Sequence, residues 1–244
     1  MGSKNLSFDL DILNKFVNDA NEPDENANNN IKPVSQSKFK FYGSLENKMN
    51  VMFTVDYLDD VYARKLFSEL KRIQYNTDEQ SMIKIYGKSI KIPRKQIAFG
   101  DPDANYHFSG TSVGAYDWNK TDNSTNSKMG QKLKELTKMV SEIACFDFNY
   151  ILVNNYLDQT NSIGYHSDDE KELGQYPVIA GISLGQERKI YFKSNITGEV
   201  IKISLPHNSL YVMYYPTNKY WKHAIPKSAK MLGQRISLTF RNIG

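Results

Sequence analysis

The sequence has a single cysteine, Cys145, among its 244 residues. One thiol excludes an intrachain disulfide and every thiolate-rich zinc or iron–sulfur site, so any metal must be held by the four histidines and by carboxylates. No apolar run approaches the roughly 18–20 residues of a membrane span. The first thirty residues lack the apolar core of a signal peptide. Met1-Gly2 opens like a myristoylation signal, but Leu6 stands where that signal wants Ser or Thr. These absences predict an intracellular protein that does not engage a membrane. Apolar residues are also nearly missing from Asn18 to Gln36, a stretch rich in Asn, Asp, Glu, Pro and Ser that cannot repay the entropy of ordering.

The chain as a whole is 40% apolar and 12% aromatic, enough for the core of one large domain. The formal charge of +4 is unevenly spread. Residues 1–30 carry six acids (Asp9, Asp11, Asp19, Glu22, Asp24, Glu25) against Lys4 and Lys15, a balance of −4 that leaves +8 on the remainder. A basic body suits a polyanion partner, and equally suits a merely solvated surface. Gln36, Phe39 and Tyr42 loosely resemble a sliding-clamp peptide, but Gly43 replaces the second aromatic of that pattern. Chance explains the match better, and a clamp or other protein partner for the tail stays open.

The pattern predicts a largely disordered acidic, Asn-rich tail over residues 1–48 and a folded domain over 49–244. Asp56 stands where it would cap a helix through Leu58, Val61, Tyr62, Leu66, Leu70 and Ile73. A second amphipathic helix runs through Met129, Leu133, Leu136, Val140 and Ile143. From about residue 149 to 243 short strands joined by turns dominate, which predicts an α+β protein with a jelly-roll or cupin-like core, a double-stranded β-helix, buttressed by the helices.

In His166-Ser167-Asp168, residues i and i+2 of an extended segment project to one side, so imidazole and carboxylate can face one point. Alone this pairing is commonplace. His223 offers a third ligand, and two histidines with one carboxylate form the facial triad of non-haem Fe(II) oxygenases. Strand 234–241 alternates, with Ile236, Leu238 and Phe240 on one face and Arg235, Ser237, Thr239 and Arg241 on the other. An edge strand would leave that polar face in water. Two arginines about 20 Å apart along a strand would instead suit a small dicarboxylate held at both ends. Tyr150, Leu152, Asn154 and Tyr156 likewise share one strand face, and Asn154 and Tyr156 can add neutral hydrogen bonds.

The combination of His166-x-Asp168, His223 and Arg235-x5-Arg241 resembles the AlkB family of Fe(II)/2-oxoglutarate dioxygenases. The stretches 163–170, Pro216-Thr217-Asn218, Leu238-Thr239-Phe240-Arg241, Pro93-Arg94-Lys95-Gln96, Phe99-Gly100-Asp101 and Tyr106-His107-Phe108-Ser109-Gly110 look like its eukaryotic branch that repairs alkylated double-stranded DNA. The resemblance implies Fe(II) on His166, Asp168 and His223. It implies 2-oxoglutarate on Asn154, Tyr156, Arg235, Thr239 and Arg241, with O2 as co-substrate. It places the substrate base among Tyr106, Phe108, Ser109 and Glu170, with Tyr86 as the finger that fills the vacated stack and Arg94 holding the extruded nucleotide, on a nucleotide-recognition lid over about residues 80–115. The implied reaction is oxidative demethylation of N1-methyladenine or N3-methylcytosine in double- or single-stranded DNA by base flipping, releasing formaldehyde and succinate. The expectation is a monomer, nuclear if the source is eukaryotic. Tyrosine at the finger is larger and more polar than the family's usual residue, which opens the choice between duplex and single strand. Two alternatives share these residues: an RNA demethylase or protein hydroxylase on the same scaffold, and a non-catalytic module that binds damaged DNA.

Overall fold

The computed structural model describes residues 39–85, 88–108 and 111–244. In chain order they form β1 (Lys40–Tyr42), β2 (Val51–Thr54), α1 (Asp60–Leu70), β3 (Met82–Ile85), β4 (Lys88–Lys91), β5 (Lys95–Gly100), β6 (Asn105–Phe108), β7 (Thr111–Gly114), β8 (Tyr116–Asp117) and α2 (Thr125–Ala144). There follow β9 (Tyr150–Tyr156), β10 (Ile163–His166), β11 (Ile179–Gly185), β12 (Arg188–Ser194), β13 (Val200–Leu205), β14 (Ser209–Met213), a short α3 (Thr217–Tyr220), β15 (Trp221–Ile225) and β16 (Arg235–Arg241). Among the described residues the strands make an eight-stranded sheet, β1-β2-β14-β11-β16-β9-β5-β8, and a four-stranded sheet, β10-β15-β12-β13. Two separate hairpins, β3-β4 and β6-β7, lie in the stretch from which the resemblance draws a lid.

Alternation in the central strands sorts their side chains into two cores. Ile236, Leu238 and Phe240 of β16, with Ile151 and Val153 of β9, face α1 and α2 and pack with Leu66, Leu70, Leu133, Leu136 and Val140. Tyr150, Leu152 and Tyr156 of β9 point the other way and pack with Ile190, Phe192, Ile203 and Trp221 of the small sheet. The fold is therefore a jelly roll with helices on the outer face of the large sheet. Every residue of β9 and of β16 is buried. The polar face of β16 thus meets the second sheet and not water, which excludes the edge-strand reading and leaves two buried arginines inside the sandwich.

Two local expectations are corrected. The cap of α1 is Asp59, whose carboxylate accepts the Tyr62 amide at 2.9 Å. Asp56 instead sits in a bend at φ 52°, too far upstream to reach the first free amides, and the helix stops at Leu70 before Ile73. At the N-terminal side, β1 pairs with β2 through Lys40↔Phe53 and Tyr42↔Val51, so sheet structure precedes Met49. Phe39 and Tyr42 are half-buried, Tyr42 edge-on to Phe53 at 6.1 Å; Gln36 lies outside the described residues.

Gly181 of β11 lies opposite Tyr211 of β14 and Thr239 of β16. A Cβ there would sit 2.3 Å from the Tyr211 ring, so glycine is what lets that ring lie flat over the sheet.

Candidate metal and dicarboxylate site

Register brings the polar side chains together between the sheets. His166, at the end of edge strand β10, pairs directly with His223 of β15. Asp168 follows two residues after His166 and is 1% exposed. Asn218, on α3, fixes it through the backbone: its Oδ1 accepts the Asp168 amide at 3.0 Å and its Nδ2 donates to the Asp168 carbonyl. His166 Nε2 lies 3.9 Å from Asp168 Oδ1, His223 Nε2 lies 3.7 Å from Asp168 Oδ2, and one donor atom from each of the three residues falls within 4.8 Å of the others. The Gly164 carbonyl, 2.9 Å from His166 Nδ1, can only accept. It therefore places the proton on Nδ1 and frees the Nε2 lone pair.

Electrostatics keep this triad in its ligand form. Burial alone would raise the Asp168 pKa, but Arg241, His223 and His166 hold the carboxyl well below the usual range. Burial, reinforced by His166, pushes His223 down to about 3, and burial lowers His166 as well. At neutral pH the trio is one carboxylate and two neutral imidazoles, the protonation a divalent metal requires. Asp168 Oδ2 is buried with no hydrogen-bond partner, a free acceptor of the kind a cation would satisfy.

Both arginines of β16 line the same cavity, with Arg94, Gln96, Tyr106 and Asn154. They are not equivalent. Arg241 Nη2 is 2.9 Å from Asp168 Oδ1, and that ion pair raises the Arg241 pKa against the effect of burial. Arg235 is 1% exposed and has no carboxylate partner among the described residues. Its Nε donates to Ser183 Oγ at 2.8 Å and its Nη2 to Ser237 Oγ at 3.3 Å, its guanidinium lies 5.1 Å from the Tyr156 ring centroid, and Nη1 is left without a partner. An arginine stays charged even where burial lowers its pKa. Arg241 Nε and Nη1 are also left without a partner, so both arginines keep donors for an anion; they differ in charge balance, since Arg241 already pairs with Asp168 and Arg235 is the cation awaiting an anion.

Asn154 stands opposite Gln96 of β5 and Ser237 of β16. Its Oδ1 accepts from Arg94 Nε at 2.7 Å and from Gln96 Nε2 at 2.6 Å, which turns its amide nitrogen to other acceptors. Arg94 also donates to the Ser162 carbonyl at 3.2 Å, so it is built into the wall beside Asn154. Thr239 and Tyr156 line the cavity too. Tyr106 is fully buried, packs on Tyr150 at 5.6 Å and has the Arg241 guanidinium 4.9 Å from its ring. Glu170 follows Asp168 on the loop, with its carboxyl pushed up by burial and by Asp168. Tyr86 and Ser109 lie outside the described residues, and Phe108 is described only as the last residue of β6, opposite Thr111. Gln96 and Asn218 stand inside motifs the sequence displayed, but no periodicity signals that one supports Asn154 and the other Asp168. Ser183 and Tyr211 left no sequence signal.

A jelly roll with two histidines and a carboxylate between its sheets, beside an unpaired buried arginine, defines the class of metal-dependent oxygenases that use an organic acid co-substrate. A family model described as "2OG-Fe(II) oxygenase superfamily" matches residues 51–241, and the chain belongs to that superfamily. Its cofactors are accordingly Fe(II) and 2-oxoglutarate, and the orphaned Asp168 Oδ2 and Arg235 Nη1 fit them. Over 190 residues, 74% of the chain, it is 34% identical to the proteins named DNA oxidative demethylase ALKBH2 of Bos taurus and Homo sapiens. The match covers 64% and 69% of those proteins. A shorter match, 34% identical over 44% of this chain and 41% of the relative, is to alpha-ketoglutarate-dependent dioxygenase alkB homolog 3 of Mus musculus. Among the described residues no helix is long and apolar enough to cross a membrane.

Proposed function

We propose that the protein is an oxidative DNA demethylase that reverses N-methylation of bases, working as a monomer. The observation that carries this reading is the cavity that His166 and His223, clustered with Asp168, share with the unpaired Arg235, in a chain 34% identical to named DNA oxidative demethylases. His166, Asp168 and His223 hold the iron. Arg235 holds the far carboxylate of 2-oxoglutarate, assisted by Tyr156, with Asn154 and Thr239 on the walls. Arg241 keeps Asp168 ionised and oriented.

When bound, Fe(II) and 2-oxoglutarate would supply O2-dependent hydroxylation of an N-methyl group on the base, with succinate and CO2 as co-products and formaldehyde lost from the hydroxymethyl product. The chain's own residues bind, orient and exclude water. Phe192, 6.1 Å from the His223 ring, and Ile190 keep the inner wall apolar. Tyr106, Phe108, Ser109 and Glu170 receive the base, the two hairpins act as lid, Tyr86 fills the vacated stack, and Arg94 closes the wall between nucleotide and co-substrate. An alkylated base has already lost its pairing, which makes it the cheapest to extrude. Work on nuclear DNA would place a eukaryotic form in the nucleus.

The test is formaldehyde release from oligonucleotides carrying N1-methyladenine or N3-methylcytosine, as duplex DNA, single-stranded DNA and RNA, with Fe(II), ascorbate and 2-oxoglutarate. Release from DNA is expected. Succinate formation without formaldehyde from either DNA form contradicts the reading, and a strong preference for RNA reassigns the substrate.

A further inference from the structure

The inner face of the small sheet carries His166 and His223, and its outer face is turned to solvent. Alternation on β12 puts Lys189, Tyr191 and Lys193 outward, with Lys202 and Lys222 beside them on β13 and β15. All four lysines are exposed. Lys193 lies directly opposite Lys222, and Lys202 opposite Tyr191. The four strands of this sheet contain no aspartate or glutamate, and none of these lysines forms an ion pair among the described residues. Two aromatic rings lie among the charges. Tyr165, exposed on β10 next to His166, has Lys193 Nζ 5.9 Å from its ring centroid, and Tyr191 has Lys202 Nζ at 4.9 Å.

Like charges directly opposite on neighbouring strands destabilise a sheet, and a polyanion laid over this face would relieve the repulsion between Lys193 and Lys222. Lys189 and Lys193 are about 13 Å apart along their strand and β13 to β15 spans about 10 Å, room for several consecutive phosphates. Cations interleaved with rings on a sheet surface match both parts of a nucleic-acid strand, phosphate and base face.

We propose that the outer face of the small sheet is a second DNA contact, which holds phosphates of the substrate outside the catalytic cavity and continues around the β10 edge to it. The proposal rests on the DNA reading above and is tested separately from it. The full chain and its Lys189→Gln/Lys193→Gln/Lys202→Gln/Lys222→Gln variant are compared on a methylated 20-nucleotide DNA and on a methylated trinucleotide too short to reach this face. For the variant, the slope of log K against log salt is expected to become shallower by about 3, from roughly 0.7 per lost phosphate contact. KM for the long DNA should rise about 10- to 100-fold, with trinucleotide turnover unchanged. A Tyr165→Ala/Tyr191→Ala variant should bind the long DNA about tenfold more weakly with an unaltered slope, since stacking is not a counterion effect. Unchanged slope and affinity in the folded lysine variant overturn the proposal. So does competition by polyaspartate equal to that by DNA, which would make the face a general anion surface. If the wild type demethylates neither substrate while the two slopes still differ, the catalytic reading falls and this surface stands.

Discussion

At the residue scale, Asp168 is held from two independent directions, by Arg241 at its carboxylate and by Asn218 at its backbone. Replacing Asn218 with alanine should leave the fold intact and weaken iron binding about 10- to 100-fold, the usual range for a residue that orients a ligand. Titration of metal-dependent activity checks it. His166→Ala should abolish turnover while DNA affinity stays near wild type. Arg235 separates binding from stability. Arg235→Met removes a buried charge that lacks a partner, so the cofactor-free protein should be as stable as wild type or melt a few degrees higher. The KM for 2-oxoglutarate should nevertheless rise at least tenfold, with the KM for DNA unchanged. The cluster of His166, Asp168 and His223 was legible because its residue types and spacing carry the chemistry. The division of labour between Arg235 and Arg241 was not. Both lie on one face of β16, and only the fold brings Asp168 to Arg241.

At the element scale, β9 and β16 were readable from alternation, and the structure gives Tyr150–Tyr156 and Arg235–Arg241. The cap of α1 was misplaced because Asp56, Asp59 and Asp60 are equivalent by composition. Capping depends on which carboxylate meets the free amides of the first turn. Asp59→Ala should therefore cost about 1 kcal/mol in denaturant unfolding, and Asp56→Ala should cause no loss of helix capping. The β13–β14 turn carries a pH dependence. His207 Nδ1 accepts the Gly185 amide at 2.9 Å, and burial lowers its pKa below 6.5. The unfolded chain then binds the extra proton first, so this site loses stability as pH falls below about 6.5 towards the lowered folded value. His207→Asn keeps an acceptor and does not titrate, so its melting temperature should fall less than that of wild type between pH 7 and pH 5.

At the scale of the whole molecule, the sequence indicated a jelly roll with outer helices and a basic body. It did not show that β2 and β5, far upstream of residue 149, complete the large sheet, because pairing partners distant in sequence leave no local pattern. The basic excess also found a location only in three dimensions, since the four lysines of the small sheet are scattered over residues 189–222. The central claim is that one cavity between the sheets joins a metal on the triad to a dicarboxylate on Arg235. A crystal structure of the protein grown anaerobically with Fe(II) and 2-oxoglutarate tests it most directly. Iron bound by His166, Asp168 and His223 is expected, with the far carboxylate of 2-oxoglutarate on Arg235 and Arg241 still paired with Asp168. Iron bound without Asp168, or a dicarboxylate that leaves Arg235 unpaired, would contradict it.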